Sequence, residues 1–321
     1  MKRSIRLDQY NTMLGRLNDA SGNLRLDANE TAMLARQLLD IDAKLYEVQY
    51  PELKGTILVP VKSDIDPGAE EYGYEVQDYA GQAKRIANWA KDFPSVDVQS
   101  GEVLVKLVSY GDGYQYTLQD ARRSIMARRS IEDRRAKAAR DTLARKLDTC
   151  IAVGDSEVGM TGITNNPLVP TFSPVTGVWS NSGTDADEIA ADLMAMLGDI
   201  IVDSKGSEAA DTVLLPPSLF EIADRKRISN TEISALDYFR KKRPGITVEQ
   251  WEKLETAGAS GVPRIIAYTR KVDKVAALVP VEFETFAPQQ EGLAWKVPCH
   301  TRTGGVVFYY PGSARYMDGC A

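Results

Sequence analysis

From residue 72 onward the chain alternates like a β-ribbon yet carries little that a ribbon could fold around. Tyr72-Gly-Tyr-Glu-Val-Gln77 and Ala83-Lys-Arg-Ile-Ala-Asn-Trp-Ala90 flank Asp78-Tyr-Ala-Gly-Gln82, which predicts a long hairpin with arms at 72–77 and 83–90. Both arms are rich in Tyr, Trp and charge and poor in Leu, Ile and Val. A two-stranded ribbon of this composition is marginal in water unless another surface covers it. The chain is therefore expected to complete its structure on a second chain.

The flanks supply the body from which the ribbon extends. Residues 56–61, Thr-Ile-Leu-Val-Pro-Val, read as a strand, and Pro67-Gly68 as a turn. Residues 96–110 read as a strand pair returning to the body. Thr117 with Asp120, and Ser130 with Asp133, have capping-box spacing and predict a short helix followed by a long one to about Val153. The long helix places Ala136, Ala139, Leu143, Leu147 and Cys150 on one face. A turn region rich in Gly and Asn, 154–167, follows it.

A second unit is expected from Asp185. It contains a helix with Ile189, Leu193, Leu197 and Ile200 or Ile201 on its apolar face, the strand Thr212-Val-Leu-Leu215, and helices at 217–226 and 233–242. Strands are expected at 264–268, 275–279, 281–286, 293–297 and 305–310. At the other end, Asp27 and Glu30 open a helix whose stripe is Leu34, Leu38, Ile41, Leu45 and Val48, stopped by Pro51. That stripe could pack on its own domain or dock on a neighbouring subunit. The bottom-up fold class is mixed α+β, and 321 residues allow about two domains.

Charge is unevenly placed. From Arg122 to Lys146 there are ten basic residues and three acidic ones, including Arg122, Arg123, Arg128, Arg129, Arg134 and Arg135. Between 61 and 82, Asp64, Asp66, Glu70, Glu71, Glu75 and Asp78 face Lys62 alone. The two surfaces could meet between subunits, where complementary charge steers encounter and fixes register. They could also be two solvated faces, since an exposed ion pair contributes only about 0–1 kcal/mol.

Enzyme chemistry finds little purchase. The single histidine, His300, adjoins Cys299, but neighbours on a strand point to opposite faces, so no thiol–imidazole pair is expected. Cys150, Cys299 and Cys320 are too scattered for a disulfide framework or a metal cluster and read as cytoplasmic thiols. The glycine-rich stretches at 154–162 and 258–261 lack the P-loop and dinucleotide patterns and read as turns. No catalytic residue, cofactor or metal is expected. With 26% charged residues and no apolar run long enough to span a bilayer, no membrane partner is expected either. The residues after Met1, Lys-Arg-Ser-Ile-Arg-Leu-Asp8, do not read as a signal peptide.

The order of parts resembles the Hong Kong 97-type major capsid fold of tailed bacteriophages. The residues that carry the likeness are Gly154-Asp-Ser-Glu-Val-Gly-Met-Thr-Gly-Ile-Thr-Asn-Asn-Pro167, Asp211-Thr-Val-Leu-Leu-Pro-Pro217, Val297-Pro-Cys-His-Thr-Arg-Thr-Gly-Gly-Val306, and the text from Ala83 to Val98. The likeness runs from about Leu34 to the end.

It implies an N-terminal arm over 1–55, an extended E-loop region over 56–107, and a P-domain with a spine helix over 108–182. An A-domain over 183–280 and returning P-domain strands over 281–321 complete the set. It further implies pentamers and hexamers of an icosahedral shell around double-stranded DNA, assembled in the bacterial host cytoplasm, with portal and decoration partners.

Because the first helix is expected near Ala28, a separate scaffold protein is expected rather than a fused one. Lys84 and Lys91 fall in the E-loop, but no asparagine partner is evident and no cross-link is expected. Lys84 joins the contact candidates with the stripe, the acids and the arginines. The competing functions are an encapsulin-like compartment and a soluble α+β enzyme.

Overall fold

A computed structural model describes residues 51–80, 97–127, 131–229 and 231–320. The Leu34–Val48 stripe, the expected 83–90 arm with Lys84, Arg128, Arg129 and the Ser130 cap lie outside the described residues. The unit described here begins at Glu52.

Its first element departs from expectation. Residues expected as a strand form helix α1 (Gly55–Leu58) and only then strand β1 (Val61–Lys62). Burial explains the difference. The Gly55 N–H donates to Asp148 Oδ1 at 2.7 Å, and a Cβ at this position would sit 2.8 Å from that oxygen. Tyr268 donates to the Leu58 carbonyl at 2.6 Å, and the Arg270 guanidinium holds the Ile57 carbonyl. Leu58 and Val59 enter the core. Tertiary capture thus overrides the β-propensity of Thr-Ile-Leu-Val.

The hairpin is longer than expected, and its second arm is a different segment. Strand β2 (Glu71–Ala80) pairs antiparallel with β3 (Asp97–Lys106), from Glu71↔Lys106 to Ala80↔Asp97 without a break. The return strand is itself the ribbon's partner, because its alternation matches that of β2 over ten positions. Strand β4 (Val108–Thr117) follows at once.

β4 pairs along its whole length with β14 (Ala294–Thr303), which also pairs with β12 (Val281–Thr285) and β13 (Gln289–Glu291). At the far end of β4 the expected capping box forms: Asp120 N–H donates to Thr117 Oγ1 at 3.1 Å, and Thr117 N–H to Asp120 Oδ2 at 3.5 Å. Helix α2 (Leu118–Ala127) starts there.

The long helix α3 (Ile131–Ala152) buries Ala139, Leu143, Leu147 and Cys150 as the spacing predicts. Ala139 and Leu143 meet Cys299, Tyr110, Tyr114 and Phe283 on the β4–β14 sheet. Leu147 and Ile151 enter the central core. Two glycines shape the turn beyond α3. A Cβ on Gly162 would stand 2.3 Å from the Ala152 carbonyl oxygen, and Gly154, at φ 78°, would meet the Met160 oxygen at 2.2 Å. Between them β5 (Gly154–Asp155) and β6 (Met160–Thr161) form a small hairpin.

The next region is built on a five-stranded sheet. In spatial order it runs β7 (Thr171–Phe172), β16 (Arg315–Asp318), β10 (Arg264–Tyr268), β8 (Thr212–Leu215) and β9 (Thr247–Gln250). Helices α4 (Ala186–Asp203), α5 (Pro217–Arg225) and α6 (Ala235–Lys242) supply apolar faces to it.

Period-two alternation divides the sheet's side chains. Val213, Leu215, Ile265, Ala267 and Met317 join the helices in one core, whereas Leu214, Ile266, Tyr268 and Tyr316 join α3 in the other. Being buried on both faces, these strands read as continuous apolar runs. On α4 the stripe takes Ile200 rather than Ile201. Strands β1, β11 (Val275–Leu278) and β15 (Gly305–Phe308) form a third sheet.

Buried charges in this region are paired. Arg315 donates to Asp199 at 2.7 Å and also pairs with Asp203, both on α4. Arg264 makes a two-pronged bond with Asp318, its closer arm at 2.6 Å. Asp192 accepts from the Val175 N–H at 2.9 Å and from Trp179 Nε1 at 3.1 Å, tying the preceding loop to α4.

Candidate functional site

The features open to a partner gather on the ribbon and on α2–α3. Tyrosines fix the ribbon's root to the body. Lys62 Nζ donates to Tyr72 Oη at 3.0 Å, and the Tyr72 and Tyr309 hydroxyls are 3.0 Å apart. The Tyr74 and Tyr309 rings meet edge to face at 5.0 Å. The bond to Tyr72 raises the Lys62 pKa, while burial pushes the Tyr309 phenol well above its usual range. Along the ribbon, Val76 and Leu104 are exposed, and Leu104 keeps 58% of its surface.

The sequence missed this tyrosine root. The signal available was Tyr309-Tyr310 directly after the apolar run Val306-Val-Phe308, but nothing in the spacing joined it to Tyr72 and Tyr74.

Glu70, Glu71 and Glu75 are exposed and make no ion pair among the described residues. Asp78 lies on β2. A cleft at the root brings Glu70 and Glu71 together with Glu157 and Lys106.

The basic helices divide into residues turned outward and residues used internally. Arg122 and Arg134 are exposed. Arg135 bonds to the Gln115 carbonyl at 2.5 Å and to Asp120 at 3.2 Å, while Arg123 stands 3.9 Å from the same carboxylate. These bonds, with the capping N–H of Thr117 as the largest influence, hold Asp120 below the usual carboxylate range. Further along α3, Lys146 and Tyr110 both donate to Asp155, at 3.0 and 2.8 Å. The tyrosine bond is the largest of the effects that lower its pKa. Part of the spine's positive charge therefore holds the subunit together.

Cys299 and His300 take opposite sides of β14, as strand alternation requires. Cys299 is buried against α3, while His300 Nδ1 lies 3.8 Å from Glu284. Cys150 and Cys320 are buried as well. Burial pushes the Cys320 thiol up to about 12. Among the described residues no cluster of His, Cys, Asp and Glu could hold a metal, and no helix is long and apolar enough to cross a membrane.

Several solved shells share this fold. The capsid of Myoviridae phage XM1 superposes with a TM-score of 0.79 at 15% identity, over 90% of this chain and 99% of that one. A chain of Gordonia phage Cozz gives 0.60 at 14% identity, over 92% and 98%. The capsid of an empty GTA particle gives 0.65 at 11% identity, over 91% and 100%. No curated protein sequence matches. These similarities establish the Hong Kong 97-type fold, in agreement with the resemblance read from the sequence.

The sequence model of the major capsid proteins matches residues 81–320. With most of its length matched, this chain belongs to the major capsid protein family: it is a structural, non-enzymatic subunit of a phage capsid that assembles with copies of itself in the virion shell.

Proposed function

We propose that the chain closes an icosahedral head of pentamers and hexamers around double-stranded DNA, and that complementary charge sets the register between neighbours. The acidic limb of the ribbon, at Glu70, Glu71, Glu75 and Asp78, lies across the basic helices of the next subunit at Arg122 and Arg134. The observation that carries this reading is the exposed glutamates' lack of any ion pair among the described residues. Each contact is weak on its own, but repetition over a closed shell makes weak contacts sufficient.

Arg135 and Arg123 serve this contact less directly, because Asp120 already engages them. The ribbon is the E-loop, α3 the spine of the P-domain, and the α4–α6 region the A-domain. The Leu34, Leu38, Ile41 and Leu45 face and Lys84 belong to the same set of intersubunit candidates. Assembly takes place in the host cytoplasm with a separate scaffold, a portal and decoration proteins. DNA meets the inner surface through nonspecific, salt-sensitive contacts.

The test is a full chain carrying Arg122→Glu and Arg134→Glu. It is expected to fold as the unaltered chain does, by circular dichroism and thermal melting, and to give no shells in negative-stain images. Adding Glu71→Lys and Glu75→Lys should restore some of them. Shells of normal yield from the arginine variant would sink the reading.

A further inference from the structure

An apolar pair on α2 and an aromatic groove at the ribbon root stand at opposite ends of the same subunit. Ile125 and Met126 are among the most exposed apolar side chains described, at 78% and 90%. They follow Arg122 and Arg123 on the helix, and Arg128 and Arg129 come next in the sequence. Adjacent large apolar side chains left in water on a structural subunit call for a cover.

The groove is an open volume of about 500 Å³ lined by Tyr74, Val76, Val272, Tyr309 and Tyr310. Val272, at its edge, keeps 45% of its surface. Glu75 and Asp273 stand on its walls, and Asp64 lies near enough to act on Lys62 and Tyr309. Lys62 is the basic residue of the lining, and Tyr72 engages it. The groove thus sets the carboxylates of Glu75 and Asp273 among aromatic and aliphatic side chains, while its lysines are engaged within the chain, Lys62 by Tyr72 and Lys274, over the Tyr310 ring, by Glu208; it is complementary to an apolar tip set among arginines. A methionine is also well suited to aromatic walls, where its sulfur and flexible chain adapt to ring edges.

One subunit cannot satisfy both halves. The β4–β14 ladder runs from Val108↔Thr303, beside the groove's tyrosines, to Thr117↔Ala294, where α2 begins. Ten residues of strand separate the two by roughly 30 Å. A contact between plug and groove is consequently head to tail, the kind that closes into a ring when its rotation permits.

We propose that Ile125 and Met126 of one copy fill the aromatic groove of a second copy, in addition to the charged contact described above. This inference rests on the assembly reading and deepens it, placing an apolar contact beside Arg122 and Glu75.

The experiment introduces Met126→Cys and Val272→Cys together into the full chain and oxidises the assembled particles mildly. The natural thiols are buried, so background coupling is low. A ladder of covalent multimers is expected from the double variant. None is expected from either single variant, or from Met126→Cys combined with Val175→Cys, whose valine is exposed elsewhere. Particles without a ladder, or an equal ladder from the control pair, overturn the proposal.

Because the substitutions could hinder assembly, unaltered particles and dissociated subunits are also treated with peroxide and analysed by mass spectrometry. Met126 oxidation is expected to drop in particles to the level of buried Met160. Equal oxidation in both states overturns the proposal and leaves the assembly reading intact. Failure of the unaltered chain to form any particle counts instead against the assembly reading.

Discussion

The α4–α6 region and the ribbon use β-strands to opposite ends. In the first, both faces of the sheet are covered and even the buried charged side chains find partners: Arg315 lies between Asp199 and Asp203, and Arg264 against Asp318. In the second, two strands pair only with each other, and Val76, Leu104 and three glutamates stay in water. On the reading proposed above, the difference separates what folds the subunit from what joins it to the next.

The largest blow to that contrast would come from the core. Phe239, on α6, is fully buried. Phe239→Ala is expected to cost about 3–5 kcal/mol in urea unfolding. A loss under 1 kcal/mol, by the same measure, would mean the region is far less tightly packed than its burial implies. At the ribbon's root, Tyr74→Ala removes the edge-to-face contact with Tyr309. It should cost about 1–2 kcal/mol and lower shell yield as well, measured by unfolding and by sedimentation.

Two carboxylates on α3 and its turn should then respond to acid with opposite sign. The Asp155 pKa is lowered in the folded chain, so its stabilisation is present above the ordinary carboxylate range and lost as pH falls through the folded value. The Asp148 pKa is raised, chiefly by burial, so its effect favours the folded chain at low pH and is lost as pH rises through the folded value. Urea midpoints between roughly pH 3 and 7 should show Asp155→Asn weakening the acid-side loss and Asp148→Asn steepening it. Equal slopes in all three proteins would remove both assignments.

The smallest effect on folding is expected on the ribbon. Leu104→Ser should change stability by no more than about 0.5 kcal/mol while reducing shell yield. A large loss of stability would show that the ribbon has a cover within its own chain.

How much of this was legible in the sequence depended on how local the cause was. The long helix, its buried face at Ala139, Leu143 and Leu147, and the Thr117–Asp120 cap were readable because each is set by spacing within a turn or two. The strand expected at 56–61 failed for a distant reason: Asp148, ninety-three residues away, takes the Gly55 N–H and turns the segment into a helix. The ribbon was recognised by its poverty of core residues, but its second arm was misplaced because two segments alternate and pairing must choose between them.

The candidate contacts show the same limit. Charge runs marked Arg122 to Arg135 and Glu70 to Asp78, but only the folded arrangement showed Arg135 held by Asp120 and Arg134 open to water. The Tyr72–Tyr309 root and the groove beside it join residues more than two hundred positions apart, and no local pattern announces such a meeting.

The three cysteines carry a last consequence. Each is buried, with Cys320 held far from ionising at neutral pH, and a thiol shut away from solvent exchanges poorly with disulfides. A container built from such subunits can pass from a reducing fluid into aerated water with its covalent structure unchanged.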